Sequence, residues 1–181
     1  LADALIMAGV KYGSSEAVDL TETWMKNLRD TAYRESTQLA KEKGAFQLFD
    51  AEAYMKGPNI ESLPKDIQED IKEFGIRNAL LTSIAPTGTI SLLADNVSSG
   101  VEPVFAFNYE RTVLRPDGSK SIEPVHDYAY QIYLNLKGDT KSLPGAFVNA
   151  QSLRPEDHLV MQSTVQKYID SSISKTINCP E

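Results

Sequence analysis

The first third of the chain follows a helical rhythm of apolar positions. Leu1 to Val10, LADALIMAGV, reads as a helix already under way. Ser14 or Ser15 can cap a long helix, with Glu16 well placed in its first turn. Ala17, Leu20, Trp24, Leu28, Ala32 and Leu39 then recur at mostly helical spacing, and Gly44 is a natural stop. Phe46 to Phe49 is a short apolar link, and Gly57-Pro58-Asn59 a turn. Pro64 can open another helix in which Ile67, Ile71 and Phe74 line one face, with Gly75 closing it.

The rhythm then changes. Ala79 to Ala85, ALLTSIA, is short, apolar and bounded by turn formers, which predicts a buried strand. Pro86-Thr87-Gly88-Thr89 breaks it, and Ile90 to Ala94 suits one or two helical turns. Val104 to Leu114, rich in aromatic and β-branched residues, predicts a second strand turned by Pro116-Asp117-Gly118. Pro124 is expected to start a helix reaching about Leu136, closed by Gly138. Ala146 to Asn149 is a short strand candidate, and Pro155 fits the first position of a helix reaching about Lys167. Ser172 to Ile177 would be a last strand.

Strands alternating with helices give an α/β class, but the strands are few for the length, so a partial barrel fits better than a complete sheet. At 181 residues the expectation is a single domain over 1–181. Hydrophobic residues at 41% and charged residues at 24% suit a globular protein. The net charge of -7 disfavours nucleic acid and anionic membrane as partners, yet backbone N–H groups can still bind a small anion. No apolar run approaches the ~20 residues of a membrane span, and no basic leader is visible. Cys179 stands alone, which rules out an intrachain disulfide and a cysteine-rich metal site and fits a reducing, cytoplasmic setting. The chain opens on Leu1 in mid-pattern and stops at Cys179-Pro180-Glu181 with no polar tail, so it reads as a piece of something longer.

The segment that carries chemistry is Ser83-Ile84-Ala85-Pro86-Thr87-Gly88-Thr89-Ile90-Ser91. A strand delivers the chain to a small-residue loop followed by a short helix, which aims backbone N–H groups at one point where an anion is favoured. Gly88 permits close backbone approach, while Thr87, Thr89 and Ser91 add hydroxyl donors. It is neither a GxxxxGK[ST] phosphate loop nor a GxGxxG dinucleotide loop. The same residues also suit an ordinary turn whose hydroxyls bond locally.

APTGTIS resembles the substrate-phosphate loop of ribonucleotide reductases, in the form of the adenosylcobalamin-dependent class II; class I members carry a looser Pro-Thr-Ala-Ser-Thr version. Four further blocks follow the order of that family. They are Leu1 to Met7 with Gly9, Gly75-Ile76-Arg77-Asn78, Ser98 to Phe105 (SSGVEPVF) and, near the end, Asp170 to Asn178 (DSSISKTIN). The resemblance implies a segment of a ten-stranded α/β barrel, here helix-rich with few strands. It implies that Pro86, Thr87, Gly88, Thr89 and Ile90 hold nucleotide phosphates through main-chain N–H groups, with Ala85 and Ser91 flanking them. Glu102 is expected either to form active-site wall or to pair with an arginine such as Arg77.

The resemblance assigns this piece no catalytic acid, base or radical: the radical cysteine and redox cysteines of the family match nothing here, and Cys179 is expected to be a small buried or strand-end thiol. The parent enzyme would use adenosylcobalamin and a thioredoxin-type reductant on a ribonucleotide substrate, with no cofactor held by this piece alone. Its expected partner is the missing amino-terminal portion of the reductase, and a homo-oligomer is compatible with the sequence. A non-catalytic assembly module and an independent small phosphate-binding protein are the alternatives. His126 and His158 are expected in helix first turns facing solvent, and two lone histidines make a poor metal site. Tyr128, Tyr130, Ile132 and Tyr133 are expected to be helical core, although a stacking surface has the same composition.

Overall fold

The computed structural model describes residues 1–137 and 142–179, and Gly138, expected to close a helix, lies outside them. The chain divides into two compact units. One comprises Leu1–Asp19, Ala85–Ser163 and Ser174–Glu181; the other comprises Leu20–Ile84 and Thr164–Ile173.

The second unit is built on most of α2 (Ser15–Lys43), with α3 (Ala51–Tyr54), α4 (Pro58–Glu61) and α5 (Lys65–Phe74). The Ser14 hydroxyl accepts from Ala17 N at 3.1 Å and so caps α2. The buried face of α2 is not the one its leucines mark. Leu28 is 52% exposed, whereas Arg29, Tyr33, Ser36, Thr37 and Ala40 are buried. The polar members of that face are satisfied: Thr37 donates to the Tyr33 carbonyl, Ser36 to Asn78 Oδ1, and Arg29 to Asp30 and Ser62. Ile67 and Ile71 of α5 face this side and form a core with Tyr33, Ile60, Leu63 and Ile76. Phe74, three residues beyond Ile71, stays half out, beneath the Lys41 ammonium at 4.1 Å from its ring. Gly75 ends α5 at a φ of 77°, and a Cβ there would lie 2.7 Å from that of Ala45, so both conformation and space require glycine.

The first unit holds α1 (Ala2–Met7), α6 (Gly88–Leu93), α7 (Tyr128–Lys137), most of α8 (Pro155–Gln166) and a hairpin of β1 (Asn108–Leu114) and β2 (Lys120–His126). The strands pair antiparallel, Asn108 opposite His126 through Leu114 opposite Lys120. The turn is closed by Arg115 N on Ser119 O at 2.9 Å, with the Asp117 carboxylate taking Ser119 N at 2.9 Å and holding its carboxyl below the usual range. Pro124 does not start a helix: it sits in β2 opposite Glu110. A two-stranded ribbon has an outer edge on each strand, where a missing N–H costs nothing. Helix α7 begins four residues later, capped by Asp127, whose Oδ1 accepts from Tyr130 N at 3.1 Å. Tyr130 is buried and stacks on Phe107, while Tyr133, half-buried like Tyr128 and Ile132, meets Phe147 edge-on, so the aromatic side of α7 packs inward without being fully buried.

The expected strands around the loop are reduced to single bridges, Ile84 with Ile173 and Val104 with Asn149, both parallel. Segment 79–85 is extended but not buried; Leu80 is 67% exposed. A side chain stands in for the adjacent strand, because the Asp170 carboxylate accepts from Leu81 N (2.7 Å), Thr82 N (2.9 Å) and the Tyr33 hydroxyl (3.1 Å). The sheet is not closed among the described residues, and the architecture is helix-rich with two strands.

Ile71 is fully buried, so Ile71→Ala is expected to cost about 2–5 kcal/mol, read as a lower urea midpoint at unchanged slope. Leu28→Ala, on the exposed turn of α2, is expected to change the midpoint by less than about 0.5 kcal/mol.

Candidate functional site

The loop after Ile84 turns at Thr87, whose φ of 52° and ψ of 20° are left-handed, a conformation uncommon for a β-branched residue. Helix α6 begins directly at Gly88, two residues earlier than its sequence pattern predicts, and Ser91 N bonds Thr87 O at 2.8 Å. The amides of Gly88, Thr89 and Ile90 therefore belong to a first helical turn, whose N–H groups have no acceptor within the helix. Asp95 and Asn96 are left-handed as well, at φ of 56° and 58°, so α6 has a left-handed residue at each end.

Ala85, Pro86, Gly88, Thr89 and Ile90 are exposed, Thr87 is half-buried, and Ser91 is buried. The Ser91 hydroxyl donates to the Val97 carbonyl, which leaves it as a strut beneath α6 and not as a free donor. A Cβ added at Gly88 would meet nothing within 4 Å. Nothing in the chain's own packing calls for glycine there.

Beside Gly88 lies a cavity of about 850 Å³, lined also by Ser91, Glu102, Asp127, Thr176 and Asn178. Another hollow of about 820 Å³ lies under the hairpin, with Leu92, Val113, Leu114, Pro124 and Ile132 on its walls. The first is the candidate site, because it alone of these two touches the loop glycine.

Glu102 forms part of that wall and pairs with Lys175, not with an arginine. Lys175 Nζ donates to Glu102 Oε2 at 2.8 Å and to His158 Nδ1 at 2.8 Å, and also reaches the Thr176 carbonyl. Glu102 Oε1 accepts from Thr176 N at 2.6 Å. The Lys175 side chain is 4% exposed and that of Glu102 24%, so the pair is largely desolvated. His158 is fully buried on α8, contrary to the solvent-facing role its helix position predicts. Burial first, then the Lys175 charge, lowers its pKa, which keeps the ring neutral and its Nδ1 an acceptor. The Tyr12 hydroxyl, bonded to the Val101 carbonyl at 2.6 Å, is pushed well above its ordinary pKa by burial and by the Glu102 charge.

The sequence blocks thus meet as hydrogen-bonded partners. Asp3 and Ser98 exchange two bonds, Ser98 N to Asp3 Oδ2 and Asp3 N to Ser98 Oγ, each 3.0 Å. Glu102, in the same block as Ser98, joins it to the Asp170–Asn178 block through Lys175. Neither Lys175 nor Asp127 was singled out by the sequence, and His158 was expected to face solvent. For Lys175 the available signal was a lone cation in the otherwise uncharged run Ser-Ile-Ser-Lys-Thr-Ile. His126 lies exposed at the end of β2 and contributes nothing to this cavity beyond its neighbour Asp127. Cys179 is exposed and outside any strand, so the expectation of a buried or strand-end thiol does not hold.

An extended segment, a loop and a short helix thus open on one cavity in a helix-rich α/β frame. Residues 1–181 match the family described as "Ribonucleotide reductase, barrel domain", and the chain belongs to that family. It is 32% identical over 200 residues to the vitamin B12-dependent ribonucleoside-diphosphate reductase of Mycobacterium tuberculosis, covering 99% of this chain and 26% of that protein. The corresponding protein of Thermoplasma acidophilum is 32% identical over 194 residues, covering 98% and 23%. Subunit alpha of ribonucleoside-diphosphate reductase 1 of Escherichia coli is 28% identical over 187 residues, covering 94% and 22%. The chain spans about a quarter of the length of these relatives.

Removing Lys175 strands the Glu102 carboxylate. Lys175→Met is expected to destabilise the chain by about 2–3 kcal/mol, somewhat less than a fully buried pair would cost because Glu102 keeps some exposure. A Lys175→Met, Glu102→Leu double variant is expected to recover most of that loss, measured by urea denaturation of all four members of the cycle.

Proposed function

We propose that this chain supplies the substrate-phosphate site of a ribonucleotide reductase, with residues Ala85 to Ser91 gripping the nucleotide's phosphates beside the 850 Å³ cavity. The observation that carries the reading is the first turn of α6: three main-chain amides open toward solvent at a glycine that the chain's own packing does not need. Pro86 and the left-handed Thr87 fix the approach to that turn, and strain at a single non-glycine residue is typical of ligand sites. Ser91 supports the turn from below, and Glu102 forms the wall, held by Lys175. Nothing in this arrangement transfers a proton or an electron; its work is to hold the phosphates so that the ribose is presented to chemistry elsewhere in the enzyme.

The parent enzyme would reduce ribonucleotides to deoxyribonucleotides by radical chemistry on a ten-stranded barrel, with adenosylcobalamin as cofactor and a thioredoxin-type reductant. The cofactor follows from the names of the relatives, vitamin B12-dependent in two of the three described. This chain's residues offer it no evident seat: His158 is buried on Lys175, and among the described residues no group of three or more His, Cys, Asp or Glu side chains could hold a metal ion. Among those residues no helix is long and apolar enough to cross a membrane.

A second reading concerns assembly. Leu80 and Phe105 are each 67% exposed on segments that pair through one bridge apiece, and such bare edges suit pairing with the remaining portion of a barrel. Mixing the chain with the amino-terminal portion of a relative and measuring restored ribonucleotide reduction tests it.

Thermal denaturation with ADP, CDP and inorganic phosphate tests the phosphate site. A ligand at tenfold its Kd is expected to stabilise the chain by about 1.4 kcal/mol. Gly88→Ala is expected to leave the ligand-free melt unchanged within about 0.5 kcal/mol, since the added methyl meets nothing, while abolishing the ligand-dependent rise. A cooperative wild-type melt that none of the three ligands shifts would sink the reading for the chain alone.

A further inference from the structure

A phosphate site in an acidic chain has to contend with the chain's own carboxylates. The net charge is -7, and Glu102, Glu110 and Asp127 all line the cavity that opens at Gly88. Among the described residues no lysine or arginine lines it. A bare carboxylate there would repel an entering anion, and more strongly from a partly desolvated wall than across water. Two of the three are compensated without a cation. Glu110 is exposed on β1, where water and salt screen it. Asp127 stands ahead of α7, and its Oδ1 takes Tyr130 N at 3.1 Å, so the first turn of a ten-residue helix meets its charge. Glu102 has neither helix nor open water. Its side chain is 24% exposed, and it is met by Lys175 on Oε2 at 2.8 Å and by Thr176 N on Oε1 at 2.6 Å.

Lys175 itself has nothing left to offer a ligand. An ammonium carries three donors, and here they go to Glu102, the His158 ring and the Thr176 carbonyl. Its side chain is 4% exposed. The buried, neutral His158 supplies an acceptor without adding charge, so the balance in this part of the wall is one anion against one cation. We infer that Lys175 is a positioning residue that admits the nucleotide's phosphates indirectly, by cancelling the Glu102 charge so that the α6 amides hold an anion against a neutral wall. The inference rests on the phosphate reading of the cavity and deepens it, because affinity then depends on a buried pair whose cation touches no ligand. Opposite effects follow from the two single changes. Without Lys175 a bare carboxylate faces the cavity. Without the Glu102 charge an uncompensated cation stands behind it. Removing both charges returns the wall to neutrality.

The test measures binding of ADP, and of sulfate as an anion with no sugar or base, to the whole chain in wild type, Lys175→Met, Glu102→Gln and the double variant. Lys175→Met is expected to bind both ligands roughly fivefold more weakly, Glu102→Gln roughly fivefold more tightly, and the double variant within about twofold of wild type. The loss in Lys175→Met is expected to shrink as chloride rises from about 0.05 M to about 0.5 M, because a carboxylate at an open cavity is screened. Glu102→Gln keeps the size of the side chain and an acceptor for Thr176 N, so it decides the matter even where Lys175→Met does not fold. Unchanged or weaker binding in Glu102→Gln means that the pair only holds the wall's shape. That result overturns the inference, while wild-type binding leaves the phosphate reading standing. Binding of neither ligand by any of the four proteins brings down the phosphate reading, and the inference with it.

Discussion

The ammonium group of Lys175 organises the wall of the candidate site. It is almost fully removed from water, and its partners Glu102, His158 and the Thr176 carbonyl come from three separate stretches of chain. A cation so desolvated is tolerated only when its protons are met, and here carboxylate, imidazole and carbonyl meet them. Glu102 is then fixed in place and takes Thr176 N with its second oxygen. The cavity beside Gly88 keeps its shape because these bonds hold residues 98–106 and 174–178 together.

Asp170 plays the corresponding part in the other unit. Its carboxylate receives two consecutive main-chain amides and the Tyr33 hydroxyl, so one side chain does what a neighbouring strand does elsewhere. This explains why segment 79–85 is not a strand, and why Leu80 stays exposed while Leu81 packs against the core of Tyr33, Ile67 and Ile71. The burial of that segment was misread because an apolar run bounded by turns looks the same whether its neighbour is a strand or a carboxylate.

The loop itself was legible in the sequence: Pro86-Thr87-Gly88 had to turn, small residues had to leave the backbone accessible, and a short helix had to follow. Its finer geometry was not. The helix starts at Gly88 and not at Ile90, Thr87 takes the left-handed turn, and Ser91 bonds inward. Pro124 shows the reverse error. Proline at a helix start is a good local rule, but the hairpin offered an edge position where its missing N–H does no harm.

The sequence by itself determined the elements whose signals are local: the span of α2 with a serine cap at 14 or 15 and its Gly44 stop, the Ile67–Ile71 face of α5, the Pro116-Asp117-Gly118 turn, and the motif blocks that mark the family. These depend on neighbours within a few residues, which the order of amino acids states directly. Only the tertiary structure decided which charged groups leave water together. Lys175 lies 73 positions from Glu102 and 17 from His158. Charge burial depends on what the fold brings within a few ångströms, and no periodicity along the chain encodes that distance.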